Sequence, residues 1–107
     1  MKKFPKFSVM TAGGMIPVVT FSEFSRNIGG LEVLFRVTSP LSPSVGALVL
    51  THVETTRLVG KVEFLDIAKT RDSLFVNNYE KAGNRVLNRI LRDVGDDRFV
   101  KAVKRYS

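Results

Sequence analysis

Residues 74–94, LFVNNYEKAGNRVLNRILRDV, constrain the fold more than any other part of the chain. On a helical wheel their apolar side chains recur at steps of three and four and form a single stripe, which is the pattern of an amphipathic helix. Burying such a stripe contributes roughly 1.5–3 kcal/mol per large side chain, more than the propensity cost of about 1 kcal/mol for Gly83. We therefore predict one long helix that packs on a core. The stripe contains Phe75, Tyr79, Ala82, Val86, Ile90 and Val94.

The start of this helix is open to two interpretations. Asp72 or Ser73 would cap a helix that includes the whole stretch, because short polar side chains accept hydrogen bonds from the first free amides of a helix. Asn77 followed by Glu80 instead resembles a capping box, which would leave residues 74–76 extended. The sequence does not distinguish these two starts.

The end of the helix is clearer. Gly95 suits the left-handed conformation that often follows the last turn of a helix. Asp96 and Asp97 then favour the start of a second, shorter helix, because acidic side chains are stabilising near a helix N-terminus. The apolar side of this terminal helix would carry Phe99, Val100 and Val103.

The preceding two thirds of the chain carries the signals of β-strands. Residues 31–38 alternate between apolar and polar side chains, which is typical of a half-buried strand. Pro17 restricts its segment to the edge or the first residues of a strand. Residues 22–28 fit either a short helix or the continuation of a strand, and Gly29–Gly30 ends them in both cases. The predicted extended segments are residues 7–10, 15–21, 31–38, 46–53 and 58–66.

Strands that precede helices along a chain indicate an α+β fold. Short turns between consecutive strands make them antiparallel. We predict a single domain, 1–107, in which an antiparallel β-meander of three to five strands is covered on one face by the long C-terminal helix, followed by the short terminal helix. Residues 1–6 would be a flexible basic arm or the start of an edge strand.

The second face of this sheet would meet either solvent or another subunit. Leu34 is apolar on the otherwise polar side of its strand, and residues 47–50 are apolar on both sides. Large apolar surface of this kind favours a homo-oligomer.

The charge of the chain restricts its partners. The formal net charge is +7 over 107 residues, and residues 81–107 hold eight Lys or Arg against three Asp. A concentrated positive field favours an anionic partner, which would be nucleic acid, an acidic protein or an anionic membrane. The absence of cysteine excludes disulfides and thiolate chemistry. No continuous apolar run approaches the ~18 residues that a membrane span needs, and the N-terminus is a poor secretory signal, so we expect a cytoplasmic protein without membrane insertion.

The sequence carries no catalytic signature. The single histidine, His52, lies two residues before Glu54, and such a pair can exchange protons, but a lone histidine on a strand more often has a structural role. The glycine pairs lack the pattern and the lysine of a phosphate-binding loop. No set of side chains has the spacing of a metal site. We therefore predict a protein that is not an enzyme and that has no cofactor and no metal, and keep a small nuclease that uses His52 only as a distant alternative.

The outward face of the long helix is the candidate site. Arg and Lys neutralise phosphates, and Arg and Asn can also bind base edges. We expect a small nucleic-acid-binding protein, with DNA and RNA, and single and double strands, left open. The alternative is an assembly or inhibitor protein whose basic face docks on an acidic protein. Stacking on bases would require Phe7, Phe21 or Phe35 to lie on an open sheet face. The predicted contact residues are Lys81, Asn84, Arg85, Asn88, Arg89, Arg92, Lys101 and Arg105.

Overall fold

The computed structural model describes residues 4–11, 13–40, 48–74 and 76–106. Within these ranges, five strands form one antiparallel sheet in the order β1-β2-β3-β4-β5, and the helices follow. This confirms the predicted α+β fold with a meander sheet and C-terminal helices. The strands are β1 (Phe7–Thr11), β2 (Gly14–Ile28), β3 (Leu31–Pro40), β4 (Val49–His52) and β5 (Arg57–Lys61), and the helices are α1 (Phe64–Ala68), α2 (Tyr79–Val94) and α3 (Asp96–Tyr106).

The longest hairpin joins β2 to β3. Residues 22–28, which the sequence left open between helix and strand, belong to β2, and Ile28 pairs with Leu31 across a two-residue turn. Gly29 and Gly30 form that turn with φ of 57° and 85°. Tight hairpin turns of this kind need positive φ at both central residues, which glycine adopts without steric penalty.

Pro17 lies in β2, which has a neighbour on each side. It pairs with Ser8 of β1, and the described pairs of β2 with β3 run from Val18 to Ile28. The proline therefore lies near the start of β2, where the restriction on strand prolines places it.

The main core lies between the sheet and α2. Phe24, Phe35 and Leu50 of the sheet are buried in one cluster with Val86 and Leu87 of the helix. Gly83 lies where the helix closely approaches the sheet, since a Cβ atom there would be 2.8 Å from ring carbon Cε1 of Phe24. The helix thus tolerates glycine because the packing requires the space.

The sheet curls, and this encloses much of its second face, which we had expected to meet solvent or another subunit. The Met10 amide of β1 donates to the Thr56 carbonyl in the β4–β5 turn at 3.0 Å, so the two edges of the sheet approach each other. Val18 and Thr51 are buried on this inner side. The apolar run 47–50 is explained by the same curl within its described part, since Leu50 belongs to the core beneath α2 while Val49 lines the inner side.

An ion pair lies inside the curl. The Arg36 side chain is only 7% exposed, and its Nε donates to Glu23. Its guanidinium also lies 4.8 Å from the centre of the Phe7 ring. The polar side chain of Arg36 in β3 is therefore paired inside the sheet, with an acid of β2 and an aromatic ring of β1.

The prediction of a strand over residues 58–66 is wrong in its second half. β5 ends at Lys61, and residues 64–68 form α1. Phe64 is 72% exposed, whereas Asp66 is buried. The period of two in this segment therefore ends with β5 and does not continue into the short helix.

The long helix starts later than both predicted starts. It begins at Tyr79, and Asn78 caps it by accepting the Lys81 amide at 2.9 Å. Leu74 is 80% exposed and belongs to the segment before the helix. Val94, placed in the buried stripe by the sequence, is 41% exposed. Some predictions fall outside the described residues. These are the place of Phe75 in the apolar stripe, residues 1–3 of the basic arm, and residues 41–47, which include the start of the predicted strand 46–53.

Candidate nucleic-acid interface

One groove collects most of the predicted contact residues. It has a volume of about 550 Å³ and lies along the outward side of α2, next to the end of α1. The core stripe packs on the sheet, so the basic side of the same helix faces away from it. We call this feature the basic groove; its lining residues are Thr70, Lys81, Asn84, Arg85, Asn88, Arg89 and Arg92.

A buried carboxylate joins α1 to the basic groove. The side chain of Asp66 is 1% exposed, and its Oδ1 accepts the Arg85 Nε at 2.9 Å. Arg89 donates to both carboxylate oxygens, at 3.0 and 3.2 Å. The Glu63 amide at the start of α1 donates to Oδ2 at 2.9 Å. Four donors therefore satisfy one buried acid and fix the stems of two arginines.

The protonation of Asp66 follows from these contacts. Burial by itself would raise the pKa of this carboxyl. The hydrogen bonds from Arg89, from the Glu63 amide and from Arg85 outweigh burial and hold the pKa below its ordinary value. The same pairing raises the pKa of Arg89. At neutral pH the site therefore contains one carboxylate between two guanidinium groups, which leaves one net positive charge.

The arginines keep part of their binding capacity. The side chains of Arg85 and Arg89 are 39% and 40% exposed. Arg85 uses only Nε for Asp66, so among the described residues its two terminal nitrogens have no partner. In the same part of the chain, Lys81 and Arg92 make no side-chain hydrogen bond or ion pair. Of the four cations that line the groove, Arg85 and Arg89 are therefore anchored by an acid, and the groove remains positive.

The two asparagines of the groove bind an arginine of the sheet. Arg26 of β2 donates Nη1 to Asn84 Oδ1 at 3.0 Å, and Nη2 to Asn88 Oδ1. Asn84 also donates its amide to the Glu80 carbonyl. Recognition of adenine by asparagine needs the carbonyl and the amide of the same side chain to be available together. In the structure each carbonyl already accepts one hydrogen bond from Arg26, and both side chains hold this arginine of the sheet against α2.

Lys101 and Arg105 are not brought into the basic groove. Both are exposed on α3, whose other side carries Phe99 and Val103 into the core. The structure therefore separates the predicted residues into a group of six that lines the groove and a pair outside it.

His52 has the environment of a structural residue. It is 5% exposed, and its Nδ1 lies 2.7 Å from the Thr55 hydroxyl. Burial lowers its pKa, and the nearby Glu54 carboxylate only partly opposes this, so the ring is neutral at pH 7. It packs against Phe35, with ring centres 6.1 Å apart, and does not line the basic groove.

Two participants in the site, Asp66 and Arg26, were not among the predicted contact residues. Asp66 was assigned to the end of a strand, and no local pattern shows that a residue 19 positions before Arg85 is its partner. Arg26 alternates with Phe24 and Ile28 along β2, so its presence on the helix-facing side was a usable sign that α2 supplies polar partners.

The comparisons with known proteins give no function for this chain. No protein-family model, curated protein or solved structure matches the chain. In the described ranges, no helix has both the length and the apolar character to cross a membrane. The same ranges contain no cluster of three or more acidic or histidine side chains suited to a metal ion.

Proposed function

We propose that this protein binds nucleic acid without catalysis, and that the basic groove contacts the phosphate backbone. The observation that carries the proposal is the convergence of four cationic side chains of α2 on one groove, with only one buried carboxylate among them. Each phosphate that a Lys or Arg neutralises releases condensed counterions, which makes such contacts favourable at low salt.

Asp66 supports this role because it orders two arginine side chains before any ligand binds. A free arginine loses side-chain entropy when it binds a phosphate, which reduces the net gain. Because Asp66 already holds the guanidinium groups of Arg85 and Arg89, less of this loss remains for binding. The planar guanidinium also suits phosphate geometry better than an ammonium group does.

The engaged asparagines point to contacts with the backbone. With the carbonyls of Asn84 and Asn88 bound to Arg26, the groove presents mainly positive donors. Such donors position a nucleic acid but carry little sequence information. We therefore expect affinity with weak dependence on base sequence and strong dependence on salt.

The first test is a salt titration of binding, followed by the fluorescence anisotropy of a labelled oligonucleotide. If four cations contact phosphates, the slope of log K against log salt is about −2.8 to −3.6, and affinity falls roughly 50- to 150-fold between 50 and 200 mM salt. An absence of binding at 50 mM salt would refute the proposal and favour an acidic protein as the partner.

The second test places the site. Lys81→Glu with Arg92→Glu reverses two exposed cations of the groove that hold no other group, and should abolish most binding. Arg98→Glu with Lys104→Glu changes the net charge equally on exposed positions outside the groove and should weaken binding far less. Equal losses in the two double variants would show that binding follows net charge and has no site here. Arg85 is left intact because its replacement would also expose Asp66.

A further inference from the structure

A pair of aromatic rings, one exposed and one half-buried, lies at the N-terminal end of α2. The ring centres of Phe21 and Tyr79 are 5.0 Å apart, with an interplanar angle of 43°. Phe21 is 40% exposed, whereas Phe35 is fully buried and the Phe7 ring lies beside the Arg36 guanidinium. Among the three phenylalanines that the sequence offers for stacking, the structure leaves Phe21 with the most open ring.

A β-bulge places Phe21 beside the helix. The register of β2 against β3 shifts between Thr20 and Ser22, so one residue of β2 has no direct partner. In a regular strand, residues three apart point to opposite faces. Phe24 packs under α2, and the bulge allows Phe21, three residues earlier, to contact the same helix. Bulges commonly redirect a side chain in this way near functional sites.

Tyr79 is held in place by polar neighbours. It is the first residue of α2, and its hydroxyl accepts a hydrogen bond from the side-chain Nδ2 of Asn77 at 3.2 Å. The side-chain Oδ1 of Asn77 in turn accepts a hydrogen bond from the Arg71 Nε at 2.9 Å. Tyr79 is therefore fixed by its position at the start of the helix and by two successive hydrogen bonds. The second of these bonds comes from the positively charged Arg71.

The pair lies near the N-terminal end of the basic groove. Tyr79 precedes Lys81, the first cation of the groove, by two residues, so the two lie about 3 Å apart along the helix axis and on different sides of the first turn. Lys81 and Arg92 are separated by about 16 Å along the same axis. A strand that rounds the start of α2 could therefore reach both the pair and the groove.

We infer that the ligand of this surface is a single-stranded nucleic acid, with one base stacked on the Phe21–Tyr79 pair while phosphates farther along the strand follow the basic groove. This inference rests on the proposed function and narrows its substrate class. Every base has a π-face, so stacking gives affinity with little sequence preference. A duplex keeps those faces inside its own stack and can offer only its backbone to the groove.

The test compares two oligomers with equal numbers of phosphates: a thymidine decamer and a decamer of abasic deoxyribose phosphates. Both present the groove with the same charge, but only the first can stack. By the usual effect of one stacked base, the thymidine decamer should bind about 5- to 150-fold more tightly than the abasic one. A ten-base-pair duplex should bind more weakly than the thymidine decamer.

The intrinsic fluorescence of the protein reports the stacking site. The chain has two tyrosines, Tyr79 and Tyr106, and no tryptophan. In a Tyr106→Phe background the emission comes from Tyr79 alone, and it should be quenched by the thymidine decamer but not by the abasic decamer.

Phe21→Leu tests the assignment of the aromatic pair. Leucine retains apolar volume but has no π-face, so the preference for the thymidine decamer should fall close to unity. Val19→Ala, which alters an exposed apolar residue of the same strand, should retain the preference. Thermal unfolding of both variants shows whether either change disturbs the fold.

The outcomes separate the two proposals. Binding of neither decamer at low salt would overturn the proposed function itself. Equal binding of both decamers, equally tight binding of the duplex, or a preference that survives Phe21→Leu would leave phosphate binding intact and overturn the inference of single-strand recognition.

Discussion

Replacing Asp66 with asparagine should weaken the fold measurably. The side chain is almost fully buried, and its carboxylate accepts hydrogen bonds from Arg85, Arg89 and the Glu63 amide. Hydrogen bonds to a charged group contribute about 1.5–3 kcal/mol each. The asparagine retains one acceptor oxygen, and the two arginines are about 40% exposed, so water replaces part of what is lost. We therefore expect a loss of about 2–4 kcal/mol in the free energy of unfolding.

The effect should depend on pH with a defined sign. The pKa of Asp66 is lowered in the folded protein, so its carboxylate contributes full stability above the ordinary aspartate pKa of about 3.9. That contribution is lost as the pH falls through the folded value, because protonation removes the charge that both arginines require. Asp66→Asn has no such group to titrate. The difference between wild type and variant should therefore be constant above about pH 5 and shrink below about pH 4.

Urea denaturation followed by circular dichroism, at a series of pH values, measures this difference directly. A loss of about 3 kcal/mol should also lower Tm by roughly 12–20 °C. Asp93→Asn, which removes the same charge from an exposed position of α2, is the matched control and should change stability by about 0.5 kcal/mol or less. A loss below about 1 kcal/mol for Asp66→Asn, or a difference that does not change with pH, would refute the claim that Asp66 ties α1 to α2.

Two further changes test the packing and the start of α2. Gly83→Ala should destabilise the protein by about 1–3 kcal/mol in urea denaturation despite alanine's higher helix propensity, since its Cβ would lie 2.8 Å from Phe24 and 2.8 Å from Val37. A gain in stability would show that the helix lies farther from the sheet. Asn78→Ala should cost about 1 kcal/mol, because the Lys81 amide loses its acceptor. An unchanged Tm would place the start of the helix elsewhere.

Local patterns determined the kinds of element in this chain. The alternation over residues 31–38 and the three-and-four spacing over residues 75–94 indicated a strand and a helix, because burial of one face repeats with the geometry of each element, and the helix is observed over Tyr79–Val94. Gly29–Gly30 marked the end of the preceding segment but not whether that segment was strand or helix. Helix boundaries were harder, because Asn78 competes with several nearby polar residues for the same capping role.

The long-range partners could not be read from such patterns. Six of the eight predicted contact residues line one groove because they share one side of a single helix, which a wheel can show. The pairing of Arg85 with Asp66 and of Asn84 with Arg26 joins residues 19 and 58 positions apart. Their proximity depends on how α1 and β2 pack around α2, which no local period encodes.

The sequence by itself therefore determined the succession of strands before the two C-terminal helices, but not the short helix α1, and it determined the sign of the charge along α2. Only the tertiary structure decided which of those charges are anchored, which remain open, and that the aromatic ring of Phe21 lies beside Tyr79. The physical reason is that amphipathic periodicity is a property of one element. The neutralisation of a charge and the exposure of a ring are properties of the neighbours that folding brings to it.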